Sequence, residues 1–370
     1  MSRPLLRLRV FVQRLLRRPM VDLPLLLALC LLALMGLFFL ASAADLSWRV
    51  IGGQAARFAL GFGVLLVVAR TPPARIRTWT PWLYLASLVP LVLLLVKGEG
   101  VGADRWLNLG IVRFQPSEIL KLTMPMMVAW YLSRRPLPPS WLDLGAVLVL
   151  IAVPAALIAK QPDLGTALLV VMCGALVVFL SGLSLKRIAL LFALLLAVLP
   201  LAWHHMHDYQ RERVLTLLNP QSDPLGTGWH IIQSEIAVGS GGVFGKGFMR
   251  GTQAQLQFLP ERTTDFILAV VGEEFGLLGV LVLLSAYVFI IARSLWIAVN
   301  ARDTYGRLLG GGLALSFFVY VMVNGGMISG LLPVVGVPLP LVSYGGTSVV
   351  SLLTGFGLLM SIQNHRKLMT

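Results

Sequence analysis

Ten apolar runs, several near the minimum length for a membrane span, lie near residues 23–43, 52–69, 80–96, 116–133, 144–159, 164–182, 187–203, 266–291, 308–327 and 345–362. Lipid cannot hydrogen-bond a bare backbone, so continuous runs of this kind admit helices and no other spanning element. The stretches between them carry the charge. Arg70, Arg75 and Arg77, then Arg134 and Arg135, Lys186 and Arg187, Arg293, Arg302 and Arg307, and finally Arg366 and Lys367 alternate with stretches that mix Asp and Glu with their bases. Setting the basic stretches on the cytoplasmic side, with the arginine-rich N-terminus, satisfies the positive-inside rule at every connection. The expectation is an all-α polytopic membrane protein with ten transmembrane helices, both termini cytoplasmic, and a large outward loop over 204–264 between helices seven and eight.

Composition agrees. With 57% apolar and 12% charged residues and a mean hydropathy of +0.85, the 370-residue chain is too apolar for a soluble domain. Its net charge of +14 would suggest nucleic acid in a soluble protein, but clustered between apolar runs it sets topology, so no nucleic-acid partner is expected. Cys30 and Cys173 lie within apolar runs without a CxxC or Cys/His grouping, which indicates neither a disulfide framework nor a zinc site. The first run is longer than a signal-peptide core and reads as a retained span. Before it, Arg3, Arg7, Arg9, Arg14, Arg17 and Arg18 alternate with Leu and Val, suiting a basic amphipathic segment on the anionic inner surface over 1–20.

The outward stretches hold the candidate chemistry. In Phe258–Ile267 a polar loop turns into an apolar run, and Asp265 stands at the mouth of that helix. An acid there is costly unless water, a partner or a substrate reaches it. It reads equally as a helix-start carboxylate, with Thr263 or Thr264 as caps, or as a reacting group. Arg113 precedes Gln115-Pro116-Ser117-Glu118, a helix start in which Glu118 and Lys121, three apart, share a face as a self-satisfied ion pair or a functional one. Arg57, inside the second run, snorkels outward or pairs with a carboxylate. Asp163 in Lys160–Thr166 is most simply a cap. The long loop supplies Arg211 and Arg213, then Gly239–Gly247 with Lys246, which lacks P-loop spacing and reads as a flexible turn. Lys246, Arg250 and Arg262 complete the outer cations, while Glu273 and Glu274 read as structural.

A synthetic enzyme facing a compartment without ATP needs a substrate already activated and membrane-bound, and a lipid diphosphate sugar is both. Its leaving group is good, so one base plus cations for the diphosphate suffices.

Several stretches resemble the SEDS family, its rod-shape branch more closely than its division branch: Leu109–Glu118, Gln161–Thr166, His207–Arg211, Phe258–Arg262 with Thr264-Asp265-Phe266, and Pro333–Pro340 with Ser343-Tyr344-Gly345-Gly346. In family order they extend from about 104 to 348. The resemblance implies one integral membrane domain over 1–370 in the bacterial inner membrane, with 204–264 periplasmic. It implies a peptidoglycan glycosyltransferase that polymerises lipid II, an undecaprenyl-diphosphate-linked substrate, at the periplasmic face during cell elongation. A class B penicillin-binding protein and other elongation-complex membrane proteins are the implied partners. Carried over, Asp265 matches the essential aspartate, proposed base on the acceptor hydroxyl. Glu118 and Lys121 match the functional pair, Asp163 the Asp of a QPD motif, and Arg57 and Ser343 supporting positions. Two residues depart: Thr263 stands where relatives often carry His, and Glu235 where an apolar or basic residue is expected. A divalent cation, Mg or Mn, is compatible with a diphosphate substrate but not required by any carboxylate cluster. A flippase for lipid-linked precursor needs a charged route to both faces; a non-catalytic scaffold needs no Asp265.

Overall fold

The computed structural model describes residues 21–97, 107–108, 113–161, 163–206, 208–222, 226–256, 258–259 and 261–365. The N-terminal basic segment, most of the 97–115 stretch, Pro162, His207, Arg366 and Lys367 lie outside the described residues, as does the side chain of Arg113.

A long helix occupies each of the ten apolar runs. In chain order these are α1 (Leu23–Ala43), α2 (Trp48–Arg70), α3 (Pro73–Lys97), α4 (Pro116–Leu132), α5 (Trp141–Ala159), α6 (Leu164–Leu180) and α7 (Leu185–His205). Three shorter helices follow, α8 (Asp208–Leu218), α9 (Thr227–Ser240) and α10 (Thr252–Gln255), before α11 (Ile267–Val299), α12 (Thr304–Ile328) and α13 (Thr347–Asn364). One two-residue ladder, β1 (Leu107–Asn108) with β2 (Arg113–Phe114), precedes α4. The architecture is all-helical apart from that ladder, and α1, α2, α5, α11 and α12 are each long and apolar enough to cross a membrane.

Several helices start earlier than hydropathy places them. α3 opens at Pro73, where a missing N–H costs nothing. α5 opens behind a capping box in which Ser140 and Asp143 satisfy each other's backbone donors. Asp22 and Asp303 cap α1 and α12, accepting from Leu25 N–H at 3.1 Å and Gly306 N–H at 2.9 Å. Apolarity marks the part of a helix in hydrocarbon; caps mark where its hydrogen bonds begin.

The ends that hydropathy assigns to one face meet there. Arg293 near the end of α11 pairs with Asp22 at 2.7 Å, Arg77 approaches Asp303 at 3.9 Å, and Asn364 at the end of α13 donates to the Ala69 carbonyl at 3.1 Å. α13 lies along α2, with Gly61 facing Leu353 and Gly357 facing Leu65 and Val68, a small-residue contact of the kind that brings membrane helices close. Tyr287, Phe317 and Phe356 meet in series between α11, α12 and α13, the first pair tilted and the second edge to face. α7 stands apart, its residues 191–200 exposed all round.

The 204–264 loop carries the short helices α8, α9 and α10 among its described residues. Its Gly239–Gly247 part is docked rather than flexible: Leu277 N–H donates to the Gly242 carbonyl and Leu278 N–H to the Val243 carbonyl, while Lys246 and Gly247 N–H donate to the Glu273 and Glu274 carbonyls. These bonds fill a break in α11. Gly276 sits at φ 63, ψ −160, a conformation open essentially to glycine alone.

Candidate active site

The connection between α12 and α13 dips into the bundle. Pro340 accepts from Tyr287 OH at 2.6 Å, and Val337, Leu339, Leu341 and Val342 are buried. Fastened to this dip is the 261–266 turn that carries Asp265. Tyr344 N–H donates to the Thr263 carbonyl at 2.8 Å, and the Ser343 hydroxyl accepts from Leu339 N–H at 2.8 Å while donating to the Thr264 carbonyl. Asn324 donates to both the Asp265 and Val337 carbonyls at 2.8 Å. Gln54 closes the arrangement from α2, donating to the Ser343 carbonyl at 3.1 Å and accepting from Gly345 N–H at 3.2 Å.

The capping reading of Asp265 does not hold. Phe266 occupies the N-cap position of α11 without a side-chain bond, and Thr264 donates to Glu261 at 2.7 Å instead. Among the described residues no hydrogen bond or ion pair reaches the Asp265 carboxylate. It faces Gly336, where an added methyl would stand 3.6 Å from Oδ2. Burial, with the neighbouring Glu261 charge adding to it, pushes its pKa up to about 6.

Beside the same dip lies a cavity of about 60 Å³ with Val337–Leu341 and Ser343 on one wall, Glu118 and Lys121 on another, and an apolar floor of Leu313, Phe356 and Leu359. Glu118 and Lys121 pair at 2.6 Å, nearly buried, with Lys121 Nζ 5.5 Å from the Tyr320 ring centroid. Among the described residues Arg57 does not pair with a carboxylate. Its guanidinium lies 4.5 Å from the Tyr344 ring centroid, and its buried Nη1 has no hydrogen-bond partner. Asp163 caps α6, accepting from Thr166 N–H at 3.1 Å and its hydroxyl at 2.9 Å, with Gln115 at 3.4 Å. Next to it, Gly165 abuts Val335 so closely that a side chain would not fit.

The outer cations are mostly committed elsewhere. Lys246 pairs with the fully buried Glu273 at 2.7 Å, Arg262 with Asp45 and the Ala254 carbonyl, and Arg211 with the Trp203 and His204 carbonyls at the end of α7. Arg213 and Arg250 are exposed. The dip therefore gathers Asp265, Ser343, Arg57, Glu118, Lys121 and Asp163, while Lys246, Arg262 and Arg211 are held by partners outside it. Sequence reasoning passed over Asn324 and Gln54, two amides inside apolar runs, which is the signal that could have revealed them. Glu235 is exposed, with its carboxylate over Gly330, where φ is +65 and a side chain would collide with it; nothing in the structure explains why position 235 is acidic.

No group of three or more His, Cys, Asp or Glu able to hold a metal ion occurs among the described residues. A cation bridging a diphosphate needs only one or two carboxylates, and Asp265 with Glu261 would be the pair to supply them.

Fold and site together define a multi-pass helical membrane protein in which one dip carries an acid unpaired among the described residues on one side and borders a mostly apolar cavity on the other. The chain belongs to the SEDS family, the FtsW, RodA and SpoVE cell cycle proteins, whose family model matches residues 21–368. It is 54% identical over 316 residues to the peptidoglycan glycosyltransferase MrdB of Escherichia coli K12, covering 85% of each chain. It is 38% identical over 298 residues to the probable peptidoglycan glycosyltransferase FtsW of Trichlorobacter lovleyi, covering 79% of this chain and 77% of the relative. Among solved structures it resembles a chain of a peptidoglycan synthase complex that coordinates polymerisation and crosslinking, at TM-score 0.82 and 33% identity, covering 94% of this chain and 99% of that one. It also resembles the rod shape determining protein RodA of Thermus thermophilus, at TM-score 0.71 and 30% identity, covering 94% and 97%.

Proposed function

We propose that this chain is a peptidoglycan glycosyltransferase that polymerises lipid II at the periplasmic face of the inner membrane during cell elongation. Asp265 takes the proton of the acceptor sugar hydroxyl as its oxygen attacks the donor's anomeric carbon. The polyprenyl diphosphate leaves from the opposite side, so the configuration inverts. The observation that carries this reading is the Asp265 carboxylate itself, half-buried, unpaired and with a pKa near 6, as a base working near neutral pH requires. Arg57, with an unspent buried N–H, is the best-provided cation for the diphosphate. Arg213 and Arg250 are exposed to meet it from outside. Lys121 contributes only once Glu118 releases it.

The chain crosses ten times with both termini cytoplasmic; the shared face of this topology is supported by the ion pairs and hydrogen bonds that draw together the starts of α1, α3 and α12 and the ends of α2, α11 and α13. A class B penicillin-binding protein crosslinks the product, a partnership supported by likeness to the synthase complex. A divalent cation at the diphosphate is tested by adding a chelator. The decisive assay is polymerisation of purified lipid II by Asp265→Asn, which keeps the shape and removes the base. Glycan strands should vanish while partner binding persists. Lipid translocation without polymer would favour a flippase, and full activity of the variant a scaffold.

A further inference from the structure

Glu273 is 0% exposed and sits in the last helical turn of α11 before the Gly276 break. A fully buried carboxylate is costly unless donors surround it. Its donors all come from one short segment: Lys246 Nζ at 2.7 Å, the Thr252 hydroxyl at 3.0 Å and Gln253 N–H at 3.0 Å on Oε1, with Ala254 N–H at 3.3 Å on Oε2. Lys246 alone would neutralise the charge. The three further bonds instead fix the backbone of α10. From α10 the connection runs onward, since the Ala254 carbonyl receives the Arg262 guanidinium, whose other side holds Asp45 in the turn between α1 and α2. Arg262 opens the turn whose Thr264 and Phe266 N–H groups both donate to the Glu261 carbonyl and which presents Asp265. Gly251 leaves no slack, because a methyl there would lie 2.7 Å from Glu273 Oε2.

We propose that Glu273 is a positioning residue for the transferase reaction: by gripping the 246–254 segment it fixes Arg262 and so holds the Asp265 turn against the re-entrant dip. This rests on Asp265 being the base. Glu273 touches neither substrate nor reacting atoms, and its effect passes through α10 and Arg262. A shift of the base by about an ångström costs up to about a hundredfold in rate while leaving remote substrate contacts intact, so the loss should appear in kcat rather than KM.

The test is steady-state lipid II polymerisation by the full-length protein carrying Glu273→Gln, Asp45→Asn, both together, or Asp265→Asn. Asp45 holds Arg262 from the opposite side and sits at φ 51, which asparagine accepts readily. We expect E273Q to lower kcat about ten- to a hundredfold with KM within about twofold. D45N should lower kcat less, and the double variant should be no worse than E273Q, because both act on one guanidinium. Unchanged kcat, a change confined to KM, or losses that multiply independently would overturn the proposal. If E273Q does not assemble, D45N decides alone, and kcat must fall severalfold at constant KM. An inactive D265N beside an unimpaired E273Q removes only the positioning role. An active D265N removes the base assignment and everything built on it.

Discussion

At the scale of single residues, the site is defined by which charges are spoken for. Asp265 is not, and its chemistry fixes a pH dependence. A base must be ionised, and the folded carboxyl releases its proton only near pH 6. Below that, kcat/KM should fall about tenfold per pH unit, with a plateau above it. Glu261→Gln removes the repulsion that adds to burial, so the limb should move to lower pH; an unmoved limb would mean that Glu261 does not act on Asp265. The Glu118–Lys121 pair poses a different question, namely whether it serves folding or reaction. Breaking a buried pair on one side costs about 3–5 kcal/mol, whereas replacing both members by apolar residues of similar volume is close to neutral. Glu118→Leu with Lys121→Met should therefore recover the melting temperature that either single change lowers, while polymerisation stays lost. Recovery of both would reduce the pair to a structural one. Sequence exposed Asp265 because an acid at the edge of an apolar run stands out. It did not show that Lys246 pairs with Glu273 and Arg262 with Asp45, because a sequence displays a cation but not its partner. Glu273, an acid well inside an apolar run, was the visible clue that Lys246 was already engaged.

At the scale of elements, α11 is the instructive case. Thirty-three residues of helix would extend about 50 Å at 1.5 Å per residue, well beyond a hydrocarbon core of about 30 Å. The break at Gly276 interrupts it, and the glycine-rich segment repairs the freed backbone groups, so irregular backbone near lipid stays satisfied. A Cβ at Gly276 would lie 2.4 Å from Gly245 N and 2.6 Å from the Val243 carbonyl. Gly276→Ala should thus destabilise by about 1–3 kcal/mol from its backbone conformation alone, with the collision added, seen as a lower melting temperature in detergent. A wild-type melting point would mean that the segment is loosely docked. Hydropathy located every long helix because partition into lipid is a local property of a run. It could not foresee the docked glycines, since hydrogen bonding between residues thirty apart leaves no periodic trace, and Gly239–Gly247 taken alone has the composition of a turn.

At the scale of the whole molecule, a bundle of long apolar helices surrounds the dip between α12 and α13, which brings Asp265, the cavity, Arg57 and the Glu118–Lys121 pair together. The apolar runs made the bundle legible. The dip was not, because Leu331–Pro340 is apolar yet too short to span and rich in proline, so its residues signal neither a helix nor a water-facing loop. Sidedness follows from the same geometry. Gln221 in the 220–222 turn and Arg302 beyond α11 are both exposed, and α11 is the one long helix between them among the described residues. If α11 crosses the membrane the two lie on opposite faces, and the positive-inside rule puts Arg302 within. In a chain lacking Cys30 and Cys173, Gln221→Cys should react with a membrane-impermeant thiol reagent in cells whose outer membrane alone is opened, while Arg302→Cys reacts only after the inner membrane is permeabilised. Reversed labelling would turn Asp265 toward the cytoplasm, where nucleotide sugars abound and a base serving only pre-activated lipid-linked donors would lose its rationale.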